Sequence, residues 1–458
     1  MLGGSNRLPI ELWEEIFSHV LYRRLFPSTN ATIFDEMDLF SHPCKVYAIY
    51  THRITILRLV CRLWNEIIGI ENKVLFGDGR RGDSLNFHRI LPSSRVDLIK
   101  QWNDYCRKWP CVPRRDAWKT RQGRCVPAGL VLYSSEDTEN DWMHGLENLA
   151  NLRVLRLFHD VRGPIQILDK CTNLEALWIY FTALWQLMKK QPLSVIQRLQ
   201  YLSYLHLDTV TDIGSTYTLH LPTLTYIEMR LYLETTFGFV QSIFSFPLDL
   251  HTPIITTIVL SGVVSKEYIS HVEKYINSCR SSVVHLLLSY TGDDSASFLP
   301  PHQLSHFPQL STLGLRIDSV VSLSIHELAV ANPPKSSPFS LVLFGLDARP
   351  RRDNLEICRQ HLREIIGVRQ KWFSKVLIPM EWAELRNTWV QYRHDTLKED
   401  GHLPCYWSVL NDLDQSGIPI QDRNGVGLRE GDGRDLIRRM RCSSKNGTST
   451  ADCEAVSA

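Results

Sequence analysis

Six side chains in the middle of the chain have the types that protein-binding surfaces use, and they recur at matching positions of consecutive segments. Aromatic residues and Arg dominate the binding energy of protein interfaces, because they bury a large area and still carry a polar group. The chemistry that they favour is recognition of a protein substrate. The alternative is that these residues merely suit β-strands and are partly covered by other segments. The six residues are Trp178, Tyr180, Tyr204, His206, Tyr226 and Arg230.

A repeated leucine pattern would place these residues side by side. The pattern LxxLxL recurs about every 27 residues, a period typical of stacked repeats. Its last two apolar residues share one strand face, so the residues beside them are expected to be exposed on the other. Helical patterning in stretches such as 183–199 and 265–279 predicts that each repeat is strand, turn and helix. The triplets are Leu152/Leu155/Leu157, Leu174/Leu177/Ile179, Leu202/Leu205/Leu207, Leu224/Ile227/Met229, Ile255/Ile258/Leu260, Val283/Leu286/Leu288, Leu310/Leu313/Leu315 and Phe339/Val342/Phe344.

Two amphipathic helices are predicted near the N-terminus. The first begins at Leu8-Pro9, where Pro suits the first helical turn because its missing amide would have no helical partner. The second covers 54–68. Such periodicity alone is more typical of a small helical subdomain with an ordinary core than of a docking surface. The apolar residues include Leu8, Leu12, Ile16 and Val20 in the first helix and Val60, Leu63 and Trp64 in the second.

The Leu8-Pro9 start, the pair Ile16-Phe17 and the run Val60-Cys61-Arg62-x-Trp64 together resemble the signature of an F-box. The family's spacing is shorter, so residues 21–52 resemble an insertion. The resemblance implies docking onto a Skp-type adaptor and, through it, onto a cullin scaffold. The adaptor-binding residues that it implies are Leu8, Pro9, Leu12, Ile16, Phe17, Val20, Val60, Leu63 and Trp64.

An F-box followed by irregular leucine-rich repeats resembles a large fungal family of proteins. The resemblance implies an α/β fold class, with a small all-α F-box head and a leucine-rich-repeat solenoid that has parallel strands and helices on its convex side. It also implies a function, that of the substrate-recognition subunit of an SCF-type cullin E3 ubiquitin ligase. The alternative is a leucine-rich-repeat interaction scaffold that is not linked to ubiquitination.

The domain boundaries follow from these patterns. We expect an F-box at 1–75, a linker or N-terminal cap at 76–145, and the repeats at 146–350. A strand at 375–378 and a helix that begins near Trp382 predict a C-terminal cap at 351–410. From 411 to 458 the chain is rich in Gly, Ser, Asp and Arg, which predicts a disordered tail.

Catalysis by this chain is not expected. It contains no phosphate-binding loop, zinc-protease, serine-hydrolase or kinase motif, and its cysteines lack metal-site spacing, so we expect no catalytic residues, cofactor or metal. The expected mechanism is proximity, because a receptor that holds substrate and ligase together raises their effective concentration. Basic and aromatic residues mix at 107–124, but a solvated loop is the favoured interpretation and no nucleic-acid partner is expected.

Composition is consistent with a folded protein in a reducing compartment. Hydrophobic residues make up 44% and charged residues 22%, and the net charge of +2 gives no field that would attract nucleic acid or an anionic membrane. The 11 cysteines are odd in number and scattered, and no signal peptide or membrane-spanning apolar run is present. We therefore expect a cytoplasmic and/or nuclear protein without a membrane partner.

Overall fold

The computed structural model describes part of the 458-residue chain. The chain divides into two compact units, Met1–Thr256 and Thr257–Ala458. The described residues are 32–34, 36–37, 74–77, 99–100, 103–104, 107, 128–133, 145–146, 149–158, 168–180, 196, 198–208, 217–231, 248–264, 266–292, 304–317, 338–346, 360, 363–367, 372–388, 410 and 413–428.

The first unit is built on a parallel sheet. Strands β1, β2, β3, β4, β5 and β7 lie side by side in that order, and each neighbouring pair is parallel. Parallel neighbours require a crossover connection, so the chain leaves the sheet after each strand and re-enters it in the same direction. The strands in chain order are β1 (Val74–Gly77), β2 (Ala128–Tyr133), β3 (Leu152–Phe158), β4 (Ala176–Tyr180), β5 (Tyr204–Asp208), β6 (Tyr217–His220), β7 (Tyr226–Leu231) and β8 (Leu248–His251).

Strands β6 and β8 form a second parallel sheet of two strands, in which His220 pairs with His251. The two exposed imidazole rings stack with 4.7 Å between their centroids. A helix was expected in each repeat, but residues 217–220 after β5 and 248–251 after β7 form these strands, and residues 209–216 and 232–247 lie outside the described part. The sequence at β6, Tyr-Thr-Leu-His, alternates apolar and polar residues and includes good strand formers, which explains the difference.

The second unit repeats the parallel arrangement. Strands β9, β10, β11, β12, β13 and β14 are neighbours in that order, and all five pairings are parallel. A 14-residue helix, α1, connects β9 to β10. The elements in chain order are β9 (Thr257–Val264), α1 (Lys266–Cys279), β10 (His285–Gly292), β11 (Thr312–Arg316), β12 (Phe339–Phe344), β13 (Phe373–Leu377) and β14 (Ile420–Gln421).

A recurring turn precedes several strands and extends the leucine pattern upstream. Apolar residues three apart are buried, and the amide of each later one donates a hydrogen bond to the carbonyl of the residue three before it. The distances are 3.1 Å for Cys171 to Leu168, 3.1 Å for Leu174 to Cys171, and 3.1 Å for Phe307 to Leu304. Buried amides need such partners, so this turn both satisfies the backbone and adds apolar residues to the core of the repeats that contain it.

Several predictions from the sequence are confirmed. All eight leucine triplets lie in or directly before strands, and these strands are parallel to their neighbours within each unit. The helix predicted at 265–279 is α1, and the strand predicted at 375–378 overlaps β13. The mostly parallel sheet structure is compatible with the expected α/β class.

The register of the eighth triplet was wrong by one residue. Leu313 and Leu315 pair with Leu341 and Leu343, so the triplet is Pro338/Leu341/Leu343 and not Phe339/Val342/Phe344. The sheet also begins before residue 146, because β2 pairs with β3 and places Leu130 beside Leu155. In both repeats Pro occupies the first position of the triplet, at Pro338 and Pro127, and a search for leucine there misses or displaces the repeat.

The expectation of a disordered tail from 411 is wrong for residues 413–428. There Ile420 and Gln421 form β14, which pairs with Val376 and Leu377 of β13. Buried apolar side chains fix this segment to the second unit: Leu413, Ile418, Ile420 and Leu428. Low aliphatic content concealed the segment, because a few well-spaced apolar residues are enough when they meet a core that already exists. Within the described residues, no helix is both long enough and apolar enough to cross a membrane.

Candidate recognition face

Strand register places four polar or aromatic side chains in one row across the first unit. Arg156 of β3 pairs with Trp178 of β4, Trp178 pairs with His206 of β5, and His206 pairs with Glu228 of β7. Paired residues of neighbouring strands share a face, so all four lie on the same side of the sheet. We refer to Arg156, Trp178, His206 and Glu228 as the polar row.

The first half of the polar row is a stack. The guanidinium carbon of Arg156 lies 3.4 Å from the centroid of the Trp178 ring, within the range of a cation–π interaction. On the next strand, the His206 ring centroid is 4.2 Å from that of Trp178, with the planes tilted by 38°. The indole is therefore flanked by a cation on one side and an imidazole on the other.

The second half of the polar row is a hydrogen-bonding group around Glu228. Oε2 of Glu228 lies 3.1 Å from Nδ1 of His206 and accepts a hydrogen bond from the Tyr226 hydroxyl at 3.1 Å. Burial opposes ionisation of Glu228, but His206, the Tyr226 hydrogen bond and the charge of Arg230 outweigh it, so its pKa is lowered. The row thus holds a carboxylate inside the protein by surrounding it with donors and positive charge.

Tyr226 connects the polar row to a second row on the same face. By register this row contains Ala176, Tyr204 and Tyr226, and the two tyrosine rings lie 5.8 Å apart between centroids. Burial raises the pKa of Tyr226, and the carboxylates of Glu228 and Glu36 raise it further. Glu36 belongs to the helical residues around 32–37, where Ile33 and Phe34 are buried. These residues come from the stretch that resembles an insertion in the F-box.

The expectation that this face is exposed is wrong for the residues whose side chains are described. Trp178, Tyr204, His206 and Tyr226 are exposed by 6%, 3%, 3% and 0%. A strand in the middle of a sheet exposes a face only where no other segment packs on it, and sequence alternation does not reveal such packing. Arg230 is exposed, and the side chain of Tyr180 lies outside the described part. Binding of a substrate by the six residues remains a prediction.

Sequence reasoning missed two charged members of the face as site residues, Arg156 and Glu228. Both occupy the same offset within their repeats as Trp178 and His206, and that offset was the signal that was available. It also missed the buried ion pair between Arg153 and Glu175, which lie at the starts of β3 and β4. In several other repeats the residue at this offset has a hydroxyl group. The hydroxyl of Thr225, for example, donates a hydrogen bond to the carbonyl oxygen of Ser203 at 3.1 Å. The ion pair thus occupies a place where short polar side chains otherwise bind the backbone.

The second unit carries its own row on the corresponding strands. Thr257, His285 and Thr312 pair across β9, β10 and β11. Burial lowers the pKa of His285 to about 4, so its imidazole is neutral at physiological pH. In the described part of the chain, His, Cys, Asp and Glu side chains do not gather in groups of three that could hold a metal ion.

The residues expected to bind the adaptor all lie outside the described residues. They are Leu8, Pro9, Leu12, Ile16, Phe17, Val20, Val60, Leu63 and Trp64. The basic stretch at 107–124 is described only at Arg107, which forms a 3.7 Å ion pair with Asp104 on the same helical turn. No protein-family model and no curated protein matches the chain.

Proposed function

We propose that this protein is the substrate-recognition subunit of an SCF-type cullin E3 ubiquitin ligase. Its N-terminal helices dock onto a Skp-type adaptor, and its repeats bind a protein substrate in the cytoplasm and/or nucleus. The chain does no chemistry itself. It raises the effective concentration of the substrate at the ligase, which favours ubiquitin transfer over a bimolecular encounter.

The observation that carries this proposal is the repeated parallel strand with its preceding turn. Residues at the leucine positions are buried in successive strands, and the strands of each unit stay in register. An irregular leucine-rich-repeat solenoid has this organisation, because each repeat buries its apolar face only against its neighbours. Together with the F-box resemblance of Leu8 to Trp64, it favours a receptor over an unrelated α/β protein.

Adaptor docking depends in our proposal on the apolar face of the first helix. Burial of a large aliphatic side chain contributes about 1.5 to 3 kcal/mol, so Leu8, Leu12, Ile16 and Val20 supply roughly 6 to 12 kcal/mol in total. Association costs about 4 to 15 kcal/mol. The first helix is therefore insufficient alone, and Val60, Leu63 and Trp64 share or support the interface.

Substrate recognition is assigned in our proposal to the six residues Trp178, Tyr180, Tyr204, His206, Tyr226 and Arg230. The exposed Arg230 makes direct contact, because its guanidinium is accessible and near the ionised Glu228. The buried aromatic residues around it hold the surface rigid, which lowers the entropy lost on binding.

Adaptor docking is tested by co-purification of a Skp-type adaptor with the full chain. We expect Leu12→Asp with Ile16→Asp to abolish adaptor capture, because two carboxylates cannot enter an apolar interface. Ser18→Asp is the control, since it places a carboxylate on another face of the helix and should leave capture unchanged. Undiminished capture by the double variant, with the repeats still folded, would refute F-box docking. A complete lack of adaptor binding by the unmodified chain would favour the scaffold alternative.

Substrate recognition is tested by affinity capture with and without a proteasome inhibitor. A substrate of the ligase should accumulate on the unmodified receptor when degradation is blocked. We expect Arg230→Glu to lose this protein while adaptor capture persists. Lys274→Glu, an equal charge reversal at an exposed position of α1, is the control and should retain it. If both variants retain the same substrate, the recognition site is elsewhere.

A further inference from the structure

A tight turn at residues 422–427, which we call the Asp422 turn, fastens the C-terminal segment to the second unit. The Asp422 carboxylate is buried, and its Oδ1 accepts hydrogen bonds from the amides of Asn424 and Val426, both at 2.9 Å. Its Oδ2 accepts the amide of Trp382 at 3.4 Å, at the start of the helical residues 382–388. One carboxylate therefore closes the turn and caps a helix elsewhere in the chain.

Further bonds hold the same two segments together. The indole nitrogen of Trp382 donates to the carbonyl oxygen of Val426 at 2.8 Å, and that oxygen also accepts the amide of Asp422 at 2.9 Å. Trp382 is buried. The backbone geometry between Asp422 and Val426 thus contributes to the attachment of residues 413–428, beside the pairing of β14 with β13 and the buried apolar side chains.

This turn contains an Asn-Gly pair, Asn424-Gly425, which is the sequence most prone to spontaneous deamidation. The amide nitrogen of Gly425 gives up its proton and forms a bond to Cγ of Asn424. The Cγ–Nδ2 bond breaks, Nδ2 takes a proton from solvent, and ammonia leaves. Water then opens the succinimide at either carbonyl, which leaves isoaspartate or aspartate. The reaction needs no oxidant or cofactor, and Asn424 is exposed to the water that it consumes.

The native turn keeps the Gly425 nitrogen, which is the attacking atom, in a hydrogen bond that opposes this reaction. The Gly425 amide donates a hydrogen bond to the carbonyl oxygen of Asp422 at 2.9 Å, and the amide of Asn424 is bonded to the carboxylate of the same residue. Gly425 has a φ of 80°, a left-handed conformation fixed by the turn. Attack on Cγ requires the Gly425 nitrogen to break its bond and rotate, so the turn has to open first.

We propose that Asn424 is a latent deamidation site, protected by the Asp422 turn, and that its conversion to isoaspartate weakens the attachment of residues 413–428 to the rest of the second unit. Isoaspartate routes the main chain through the side-chain carbon and inserts an extra backbone atom between Asp422 and Val426. The amide and carbonyl of Val426 then lose their alignment with Asp422 and Trp382. The fraction of chains that are deamidated at Asn424 therefore reports how often this segment has opened.

The protection is tested by peptide mapping of the full chain after incubation at 37 °C and mildly alkaline pH. The chain supplies an internal reference, because Lys445-Asn446-Gly447-Thr448 has nearly the same local chemistry as Arg423-Asn424-Gly425-Val426. In urea the two sites should deamidate at similar rates. Under native conditions we expect Asn424 to react about tenfold or more slowly than in urea. Equal native and denatured rates at Asn424 would overturn the proposal.

A pair of variants separates the turn from general instability. Asp422→Ala removes the acceptor and should accelerate native deamidation of Asn424 about tenfold or more, whereas Asp422→Asn keeps an acceptor oxygen and should accelerate it less. The consequence is read by hydrogen exchange of residues 413–428 in deamidated and intact chains. Exchange that is identical in both would refute the weakened attachment of the segment. If Asp422→Ala does not fold, the comparison of native protein with urea still decides the protection.

Discussion

Nδ1 of His206 lies 3.1 Å from Oε2 of Glu228 on the neighbouring strand, inside a sheet face whose side chains are nearly all covered. The carboxylate also accepts a hydrogen bond from the Tyr226 hydroxyl, so two side chains from two strands depend on one oxygen atom of Glu228. Hydrogen bonds to a charged group contribute more than neutral ones, and their loss inside a protein leaves a costly unpaired group. Glu228 is therefore the residue on which the candidate face most depends.

Replacement of Glu228 by Gln should destabilise the first unit at pH 7 by about 1.5 to 3 kcal/mol. The pKa of Glu228 is lowered, so the stability that it contributes is present above its usual value of 4.5 and is lost as the pH falls below it. Urea denaturation across this pH range should show the variant and the unmodified chain converging in acid. Glu384→Gln, at an exposed position, should leave the free energy of unfolding unchanged at every pH. A difference in stability between Glu228→Gln and the unmodified chain that stays constant at all pH values would contradict this role of the Glu228 charge.

His285 should make the second unit lose stability in acid at a higher pH than the carboxylates of that unit do. Its pKa is lowered from 6.5 to about 4 by burial, so the unfolded chain takes up a proton between these values and the folded chain does not. Stability should therefore fall by at most about 3 kcal/mol as the pH drops from 6.5 to 4. His285→Gln should flatten this slope, whereas His306→Gln, at an exposed position, should leave it unchanged. An unaltered slope in His285→Gln would refute the prediction.

Gly314 occupies a position of β11 that has no room for a side chain. A Cβ there would lie 2.7 Å from Cδ2 of Leu287, 2.7 Å from Cε2 of Phe344 and 3.0 Å from the backbone of Leu287. Gly314→Ala should therefore lower the free energy of unfolding of the second unit by about 1 to 3 kcal/mol. The helical residue Gly367 has open space around it, and Gly367→Ala should be neutral or stabilising. Thermal unfolding of both variants provides the comparison, and similar midpoints would contradict the prediction that only Gly314→Ala destabilises the unit.

The Cys171 thiol should resist alkylation in the native protein. It is fully buried in the turn before β4, and burial raises its pKa strongly, against a smaller opposing effect of Lys170. Alkylating reagents attack the thiolate, so both access and ionisation are lacking. Mass spectrometry after brief treatment with iodoacetamide should find Cys171 unmodified in buffer and modified in urea. Rapid native modification would show that the turn opens easily.

The leucine triplets predicted the strands well because burial acts on each strand separately. A residue such as Leu177 or Leu286 enters the core whatever its distant neighbours are, and period-two alternation then fixes the face of the next residues. The eighth repeat shows the limit of this logic. Phe339, Val342 and Phe344 are all apolar, and only pairing of Leu341 with Leu313 decided which set continues the leucine row.

The burial of the candidate recognition face was less predictable. The sequence indicated which aromatic residues would be neighbours, and β4, β5 and β7 place Trp178 beside His206 and Tyr204 beside Tyr226 as expected. It did not indicate that these residues are buried, nor that Glu36 would be close enough to influence Tyr226. Such effects come from segments far apart in the chain, and local periodicity contains no information about them.

Local hydrophobic spacing in the sequence was enough to predict the repeat, the strands of the leucine triplets and the order of side chains along them. Tertiary structure decided which residues pair, which face is covered, and that residues 413–428 are held by Asp422 and Trp382 and are not a loose tail. The physical reason is the range of the interactions. Hydrophobic periodicity acts over a few residues, whereas hydrogen bonds and ion pairs between distant segments exist only after the chain has folded.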